Sequence, residues 1–409
     1  MTSEPWRKNL FAIFIAEFLV LIGHSSVIPF IPLFIQKLGN FTNVEAAFWA
    51  SIATGLSGLG MFLTAPMWGS LADRWGRKPM VLRAMLGGSI IVALTGLTSN
   101  VYYFLILRFI FGMFAGSVAA SSALIAANTP KNKLPFAMGL LMAAAFGGQT
   151  LGPMFGGFLA DSVGYQNTFF ITSAVIFTGS IIVLIFTEEK FVRPVKGNDS
   201  TLKRMWDLAR SRQMILLLVL LITLNAGPGM VSPIIPVVVK DLSFGSRAAS
   251  AAGLAIGLLG LVTAISAVIT GRLGEKFTLK KILIFSCVAT GLCYLPPMWA
   301  STLFQLTLFV ALMGLFKGGL VSIPNALVGL TVDSTQQGVA YGLAQSAKSF
   351  GNAIGPFIGG GLASSLGIRA IFGVAGGLYI LVGIIVARFY IEKPIDKLKT
   401  LPLKNGYTD

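Results

Sequence analysis

The stretch GLLMAAAFGGQTLGPMFGG occupies residues 139–157, and GLAQSAKSFGNAIGPFIGG occupies residues 342–360. Gly139, Gly148, Gly152, Pro153, Gly156 and Gly157 of the first recur as Gly342, Gly351, Gly355, Pro356, Gly359 and Gly360 of the second, each 203 positions later. Glycines four residues apart draw one bare stripe along a helix. Such a stripe lets a second helix backbone approach closely inside a bilayer. Pro153 and Pro356 each remove a backbone hydrogen bond and can bend their helix. Interhelix packing is therefore the expected role of Gly148, Gly152, Pro153 and Gly156 and of Gly351, Gly355, Pro356 and Gly359, on a face between two halves that slide or rock. A duplicated apolar half is how many membrane carriers are built.

The composition agrees. The chain has 409 residues, 55% hydrophobic and 11% charged, with a mean hydropathy of +0.81. Soluble domains carry about 25% charge. Apolar runs of about 20 residues are long enough to span a bilayer as helices, and too unbroken for the short alternating strands of a barrel. Twelve spans are expected, near 9–36, 46–71, 79–98, 101–126, 134–160, 165–186, 214–239, 248–271, 279–299, 302–330, 335–363 and 367–391. The fold class is an all-α polytopic membrane protein of two pseudo-symmetric six-helix halves.

A net charge of +16 invites a nucleic-acid reading, but its distribution argues for topology instead. With the N-terminus in the cytoplasm, 24 of the 31 Lys and Arg residues fall on the cytoplasmic side. Four fall outside (Lys37, Lys240, Arg247 and Arg369) and three within spans. This positive-inside asymmetry puts both termini in the cytoplasm of a multi-pass inner-membrane protein. No nucleic-acid partner is expected. Cys287 and Cys293 share one span without metal-ligand spacing and read as buried apolar residues. No cleavable signal peptide is expected.

The duplication covers the whole chain. Pro29-x-x-Pro32 of span 1 recurs as Pro233-x-x-Pro236 of span 7, and Gly112 and Gly116 of span 4 recur as Gly314 and Gly318 of span 10. The loop GSLADRWGRK (69–78) is echoed by GRLGEKFTLKK (271–281). The organisation is an N-terminal half over 1–187, a cytoplasmic linker over 188–213, a C-terminal half over 214–391 and a tail over 392–409. Residues 201–212 (TLKRMWDLARSR) suit a basic amphipathic helix on the membrane surface.

GSLADRWGRK, Arg108 in FLILR (104–108) and LGPMFGGFLADS (151–162) together resemble the signatures of the major facilitator superfamily, in its twelve-span drug:proton antiporter branch. Phe111 stands where that family often has glutamine. The resemblance implies no cofactor beyond a proton gradient. It also implies that the 69–78 loop latches the cytoplasmic side of the outward-facing state, with Asp73 near a helix N-terminus of the other half, where a carboxylate is stabilised. Gly69, Asp73, Arg74, Gly76, Arg77, Lys78 and Glu275 are the expected latch residues. The signature in span 5 suits exporters.

Charges inside spans are few, and each costs about 2.5–3.5 kcal/mol at the bilayer centre on insertion scales. Glu17 is the only acid well inside a span, and His24, the only histidine, follows seven residues later on nearly the same helix face. Arg108 sits in span 4, Lys317 in span 10 and Lys348 in span 11. A central cavity holding Glu17, His24, Arg108, Lys317 and Lys348 is expected, with Glu17, His24 and Arg108 serving proton coupling and Glu17 either the coupling carboxylate or an ion-pair partner of Arg108. The bases of the second half suggest tolerance for anionic or zwitterionic substrates.

The resulting reading is a proton-coupled exporter of small amphipathic compounds, with membrane lipids, protons and that substrate as partners, acting as a monomer. A lipid or glycolipid flippase and a metabolite symporter are the alternatives on the same fold. No nucleophile-and-base set, metal cluster or nucleotide loop points to an enzyme.

Overall fold

The computed structural model describes residues 5–130, 133–189, 208, 210–243, 247–274, 276–332 and 337–389. Glu275, the tail over 392–409 and most of the basic segment 201–212 lie outside the described residues, as does the side chain of Asp73. The chain folds as helices, with no strand among the described residues.

Span 1 is Pro5–Ser26, a short turn of 3-10 helix at Ile28–Phe30, and Ile31–Leu38. Spans 2 and 3 are Asn43–Trp75 and Arg77–Gly96. Span 4 is two helices, Val101–Phe114 and Ser117–Asn128, and spans 5 and 6 are Leu134–Val163 and Tyr165–Phe186. Span 7 is again two helices, Arg212–Val231 and Ile235–Leu242, followed by Ala248–Leu273 as span 8. Span 9 is Leu279–Cys293 with a 3-10 turn at Pro296–Trp299. Spans 10, 11 and 12 are Leu303–Thr331, Gln337–Leu366 and Ala370–Phe389. The end of the bundle where span 1 begins and span 12 finishes is called the near end below; spans 1 and 7 finish at the far end.

Among the described residues, ten stretches are apolar and long enough to cross a membrane. Spans 5 and 11 are not among the ten, although each is a helix of 30 residues. In span 11 the glycines together with Gln345, Lys348 and Asn352 dilute the apolar run. The proline pairs explain the breaks in spans 1 and 7, because a proline interrupts the backbone ladder. Span 4 breaks differently. Gly116 takes φ +107°, ψ +24°, a left-handed conformation that glycine adopts without penalty, and a new helix starts at Ser117. Its counterpart Gly318 lies inside the unbroken span 10, so the repeat is not symmetric at this point.

Two apolar cores form, one from Leu10 through Val183 joined by Ala248 and Ala249 of span 8, and one from Met214 through Val386 joined by Ala47 of span 2. The glycine stripes sit within the halves. Atoms added as Cβ at Gly148, Gly152 and Gly156 would collide with Phe18, Ser25 and Ser26 of span 1, and at Gly351, Gly355 and Gly359 with Ile222, Ala226 and Met230 of span 7. The expected face between halves is thus met one residue further on. Gly157 abuts Ala249, Gly253 abuts the Pro153 carbonyl, and Gly257 abuts Met154, joining span 5 to span 8. Gly58 abuts Ala353, Gly55 abuts Phe357 and Gly360 abuts Ser51, joining span 2 to span 11. A one-residue step turns a helix by about 100°, enough to exchange one neighbour for another.

These seams run along the far-end part of the four spans. Toward the near end, a Cβ added at Gly69, Gly139, Gly271 or Gly342 would meet nothing within 4 Å. The halves are joined at the far end and parted at the near end. Gly156→Leu and Gly355→Leu should therefore destabilise the fold by about 3 kcal/mol, the upper range of overpacking costs. Gly139→Leu and Gly342→Leu should leave stability unchanged. Melting curves of the purified variants in detergent check this.

Candidate functional site

Span 4 breaks over Ala115 and Gly116, and both helix ends at the break meet charge. The last carbonyls of Val101–Phe114 lack intrahelical partners, as at any helix C-terminus. Arg83 of span 3 donates to the Phe114 carbonyl at 3.0 Å. Trp68 Nε1 and Thr64 Oγ1 donate to the Met113 carbonyl at 2.7 and 3.1 Å. The Arg83 guanidinium also stacks 3.9 Å over the Trp68 ring. A cation suits the negative end of a helix and an anion the positive end. At the start of the second helix stands an acidic side chain: Glu17 Oε2 accepts from Ser117 Oγ at 3.1 Å and Oε1 from Ser121 Oγ at 2.7 Å. Glu17 and Ser121 have no solvent exposure and Ser117 has 3%.

Glu17 is therefore met by two hydroxyls and not by Arg108. Arg108 is buried, with Nε and Nη2 unpartnered among the described residues. Its guanidinium lies 5.1 Å from the Phe104 ring centre and 5.6 Å from that of Phe111. Phe111, in the place of the family's glutamine, offers a π face and no hydrogen bond. His24 packs edge-on against the same ring at 5.0 Å, and its Nε2 is also buried without a partner. His24 and Arg108 line one cavity of about 200 Å³, with Thr54 and Ser57 of span 2, Phe111, and Pro233 of span 7 among its walls.

Of the five residues expected in one cavity, two meet in this one. His24 and Arg108 share the cavity, whereas Glu17, Lys317 and Lys348 do not line it. Glu17 is drawn aside to the start of the second span 4 helix. The two lysines belong to the second half, which stands away from the first at the near end. Lys348 Nζ donates to Asn325 Oδ1 at 2.5 Å, tying span 11 to span 10. Lys317 is partly exposed, on a helix whose Gly314 and Gly318 press against span 8.

The 69–78 segment runs from the end of span 2 into span 3 around Gly76, which takes φ +100°. No side chain of its own caps the span 3 helix. Glu189, just past span 6, does so: its carboxylate accepts from the Arg77 and Lys78 backbone N–H groups at 2.8–3.0 Å. Lys78 Nζ donates to the Leu184 and Thr187 carbonyls at 2.9 and 2.6 Å. Arg74 and Gly69 face open space. Arg77 and Lys78 are thus held by their own half.

At the far end the halves are fastened by polar contacts as well as glycine seams. Asp161, at the end of span 5, accepts from the Ser250 N–H at 2.7 Å, in the first turn of span 8. Asn43 donates to Asp241 and Lys240 to Gln36. Asp161 closes the GGFLAD run, where the second half has Ser364, and carries no further signal in the sequence. Ser117 and Ser121 left the signal of two hydroxyls four apart after a glycine. Glu189 left none beyond its place at the start of the polar linker.

The pattern of the family described as the Major Facilitator Superfamily matches residues 13–251 and again 217–406. The chain belongs to that superfamily. Among its relatives is the multidrug resistance protein MdtG of Klebsiella pneumoniae, 32% identical over 395 residues that cover 96% of each chain. MdtG of Salmonella arizonae is 33% identical over 378 residues, covering 91% of this chain and 93% of the relative. Of solved structures, the nucleoside transporter NupG superposes with a TM-score of 0.77 at 14% identity, over 94% of this chain and 100% of that one. A bacterial homologue of the human lysosomal transporter Spinster, in an inward-facing and occupied conformation, gives a TM-score of 0.77 at 15% identity, over 95% and 98% of the two chains. These last two likenesses concern the superfamily fold alone.

The Asp161 contact carries a prediction. A carboxylate at a helix N-terminus contributes about 0.3–1 kcal/mol, and its charge-assisted hydrogen bond adds to this. Asp161→Asn should therefore lower the population joined at the far end about fivefold, as 1 kcal/mol dictates. Disulfide cross-linking between Gln36→Cys and Lys240→Cys in a background without native cysteines reports it. An unchanged yield would remove Asp161 from the closure.

Proposed function

We propose that this chain exports small amphipathic compounds, drugs among them, from the cytoplasm in exchange for protons, by alternating access of the two halves. The observation that carries the proposal is Glu17, a fully buried carboxylate held by two serine hydroxyls and without a cation partner among the described residues. The MdtG relatives, matched over nearly their whole length, support drugs as the cargo.

The basic near end lies in the cytoplasm of a bacterial inner membrane, by the positive-inside rule, with both termini on that side. The arrangement described above is then inward-facing. The halves 1–187 and 214–391 move as two bodies about the seams between spans 5 and 8 and between spans 2 and 11, with 188–213 as the connection. In the opposite state the near ends meet, and Asp73 and the rest of the 69–78 segment engage the second half.

Coupling follows from how a buried carboxyl holds its proton. Burial favours the neutral form, and hydrogen bonds donated to the carboxylate favour the ionised form. Ser117 and Ser121 belong to a short helix that begins at a glycine hinge. A small movement of that helix adds or withdraws both donors together. Protonation from outside and release to the cytoplasm then accompany the rocking of the halves, with His24 and Arg108 in the adjoining cavity sensing the change in charge.

Export assays in everted membrane vesicles test the proposal. Glu17→Gln should reduce proton-driven drug accumulation to background while drug exchange without a gradient persists. A protonophore should have the same effect on the unmodified protein. An undiminished proton-driven rate in Glu17→Gln excludes Glu17 from coupling, and resistance to the protonophore excludes proton exchange altogether.

A further inference from the structure

The guanidinium of Arg108 has one unused edge. Nε and Nη2 are the two nitrogens whose N–H bonds point the same way from the side of the group, and both are buried without a partner among the described residues. That edge matches the two oxygens of a carboxylate in a bidentate, planar pairing. His24 lines the same cavity; its Nε2, which lies against Gly88 of span 3, is a third buried nitrogen without a partner among the described residues. Around them stand the apolar and aromatic groups Val27, Ile28, Ile31 and Phe111.

A buried charge without a counter-ion is costly, and proteins ordinarily supply one. Here the one acid deep in the neighbouring helix is engaged elsewhere, by Ser117 and Ser121. The rings of Phe104 and Phe111 give the guanidinium only weak cation–π contacts, at more than 5 Å. The cavity is about 200 Å³, large enough for a small head group and smaller than the 300–1,000 Å³ of a pocket that takes a whole drug.

We infer that the cavity between spans 1, 2, 4 and 7 is a binding subsite for the carboxylate head of an organic anion, gripped side-on by Arg108 and touched by His24, with the apolar wall receiving the adjoining carbons. The subsite deepens the exporter reading and rests on it only for calling the bound anion a cargo. Lys317 and Lys348, which raised the possibility of anionic cargo in the sequence, do not line this cavity. Anion preference therefore originates in the first half.

Benzoate and benzamide differ little in shape and differ in charge, so their binding to the purified unmodified protein, by ligand-observed NMR or calorimetry, separates the carboxylate from the ring. Benzoate should bind at least tenfold more tightly. Arg108→Gln should abolish the preference, and Arg108→Lys, which keeps the charge and loses the fork, should reduce it severalfold. His24→Gln should weaken benzoate and leave benzamide unchanged. Equal affinities in the unmodified protein overturn the subsite whether or not any variant folds. So does a preference that survives both Arg108 variants. Failure of export in vesicles, with benzoate preference intact, would instead count against the exporter reading and leave the subsite standing.

Discussion

Backbone meets backbone where Gly253 lies against the Pro153 carbonyl and where Gly58 lies against Ala353. The rest of the molecule depends on these two seams. Lipid tails are as apolar as leucine, so helices in a bilayer gain little from hiding apolar side chains against each other. What joins them is close packing, and only residues without side chains bring two helix backbones that near. The seams pair span 5 with span 8 and span 2 with span 11, positions that exchange under the internal repeat. The rotation proposed for the two halves turns about these two equivalent contacts of small, smooth surface.

The second structural theme is the broken helix. Span 4 stops at Ala115 and restarts after Gly116, leaving two sets of unsatisfied backbone groups inside the membrane. Arg83, Trp68 and Thr64 serve the carbonyl end, and Glu17 sits beside the amide end, bonded to hydroxyls of the new helix. Non-helical backbone at this depth is tolerated only where protein or a cavity satisfies it. The break therefore links the Glu17 carboxyl to Arg83 within one half. Span 10, its counterpart, runs unbroken and carries Lys317, so chemistry has accumulated on one side of a fold that began symmetric.

Much of this architecture was legible from residue order. Apolar run length and the 203-residue repeat were enough for twelve spans and two halves, and scarcity of charge singled out Glu17, His24 and Arg108. What lay beyond reach was which neighbour each face meets. Gly156 and Gly157 adjoin in sequence, yet one packs on span 1 and the other on span 8. Periodicity defines a face without naming the helix opposite it. Residue order left Glu17 as either a coupling carboxylate or an ion-pair partner of Arg108, because both are rare and both lie in spans. The positive φ of Gly116, which brings Ser117 and Ser121 to Glu17 instead, has no signature beyond the glycine itself. Asp161 was hidden because it stands at a span end, where an acid is ordinary.

The central claim is that the halves turn as bodies about the glycine seams, so that one end of the bundle opens only as the other closes. Pulsed electron–electron resonance on protein in lipid nanodiscs measures this directly, with one spin-label pair at residues 139 and 271 for the near end and another at residues 40 and 243 for the far end. With drug and changing pH, the account predicts exchange between two populations, a long near-end distance with a short far-end one and the reverse, their fractions moving in step. Both distances lengthening together, or a near-end distance that never shortens under any condition supporting export, would contradict it.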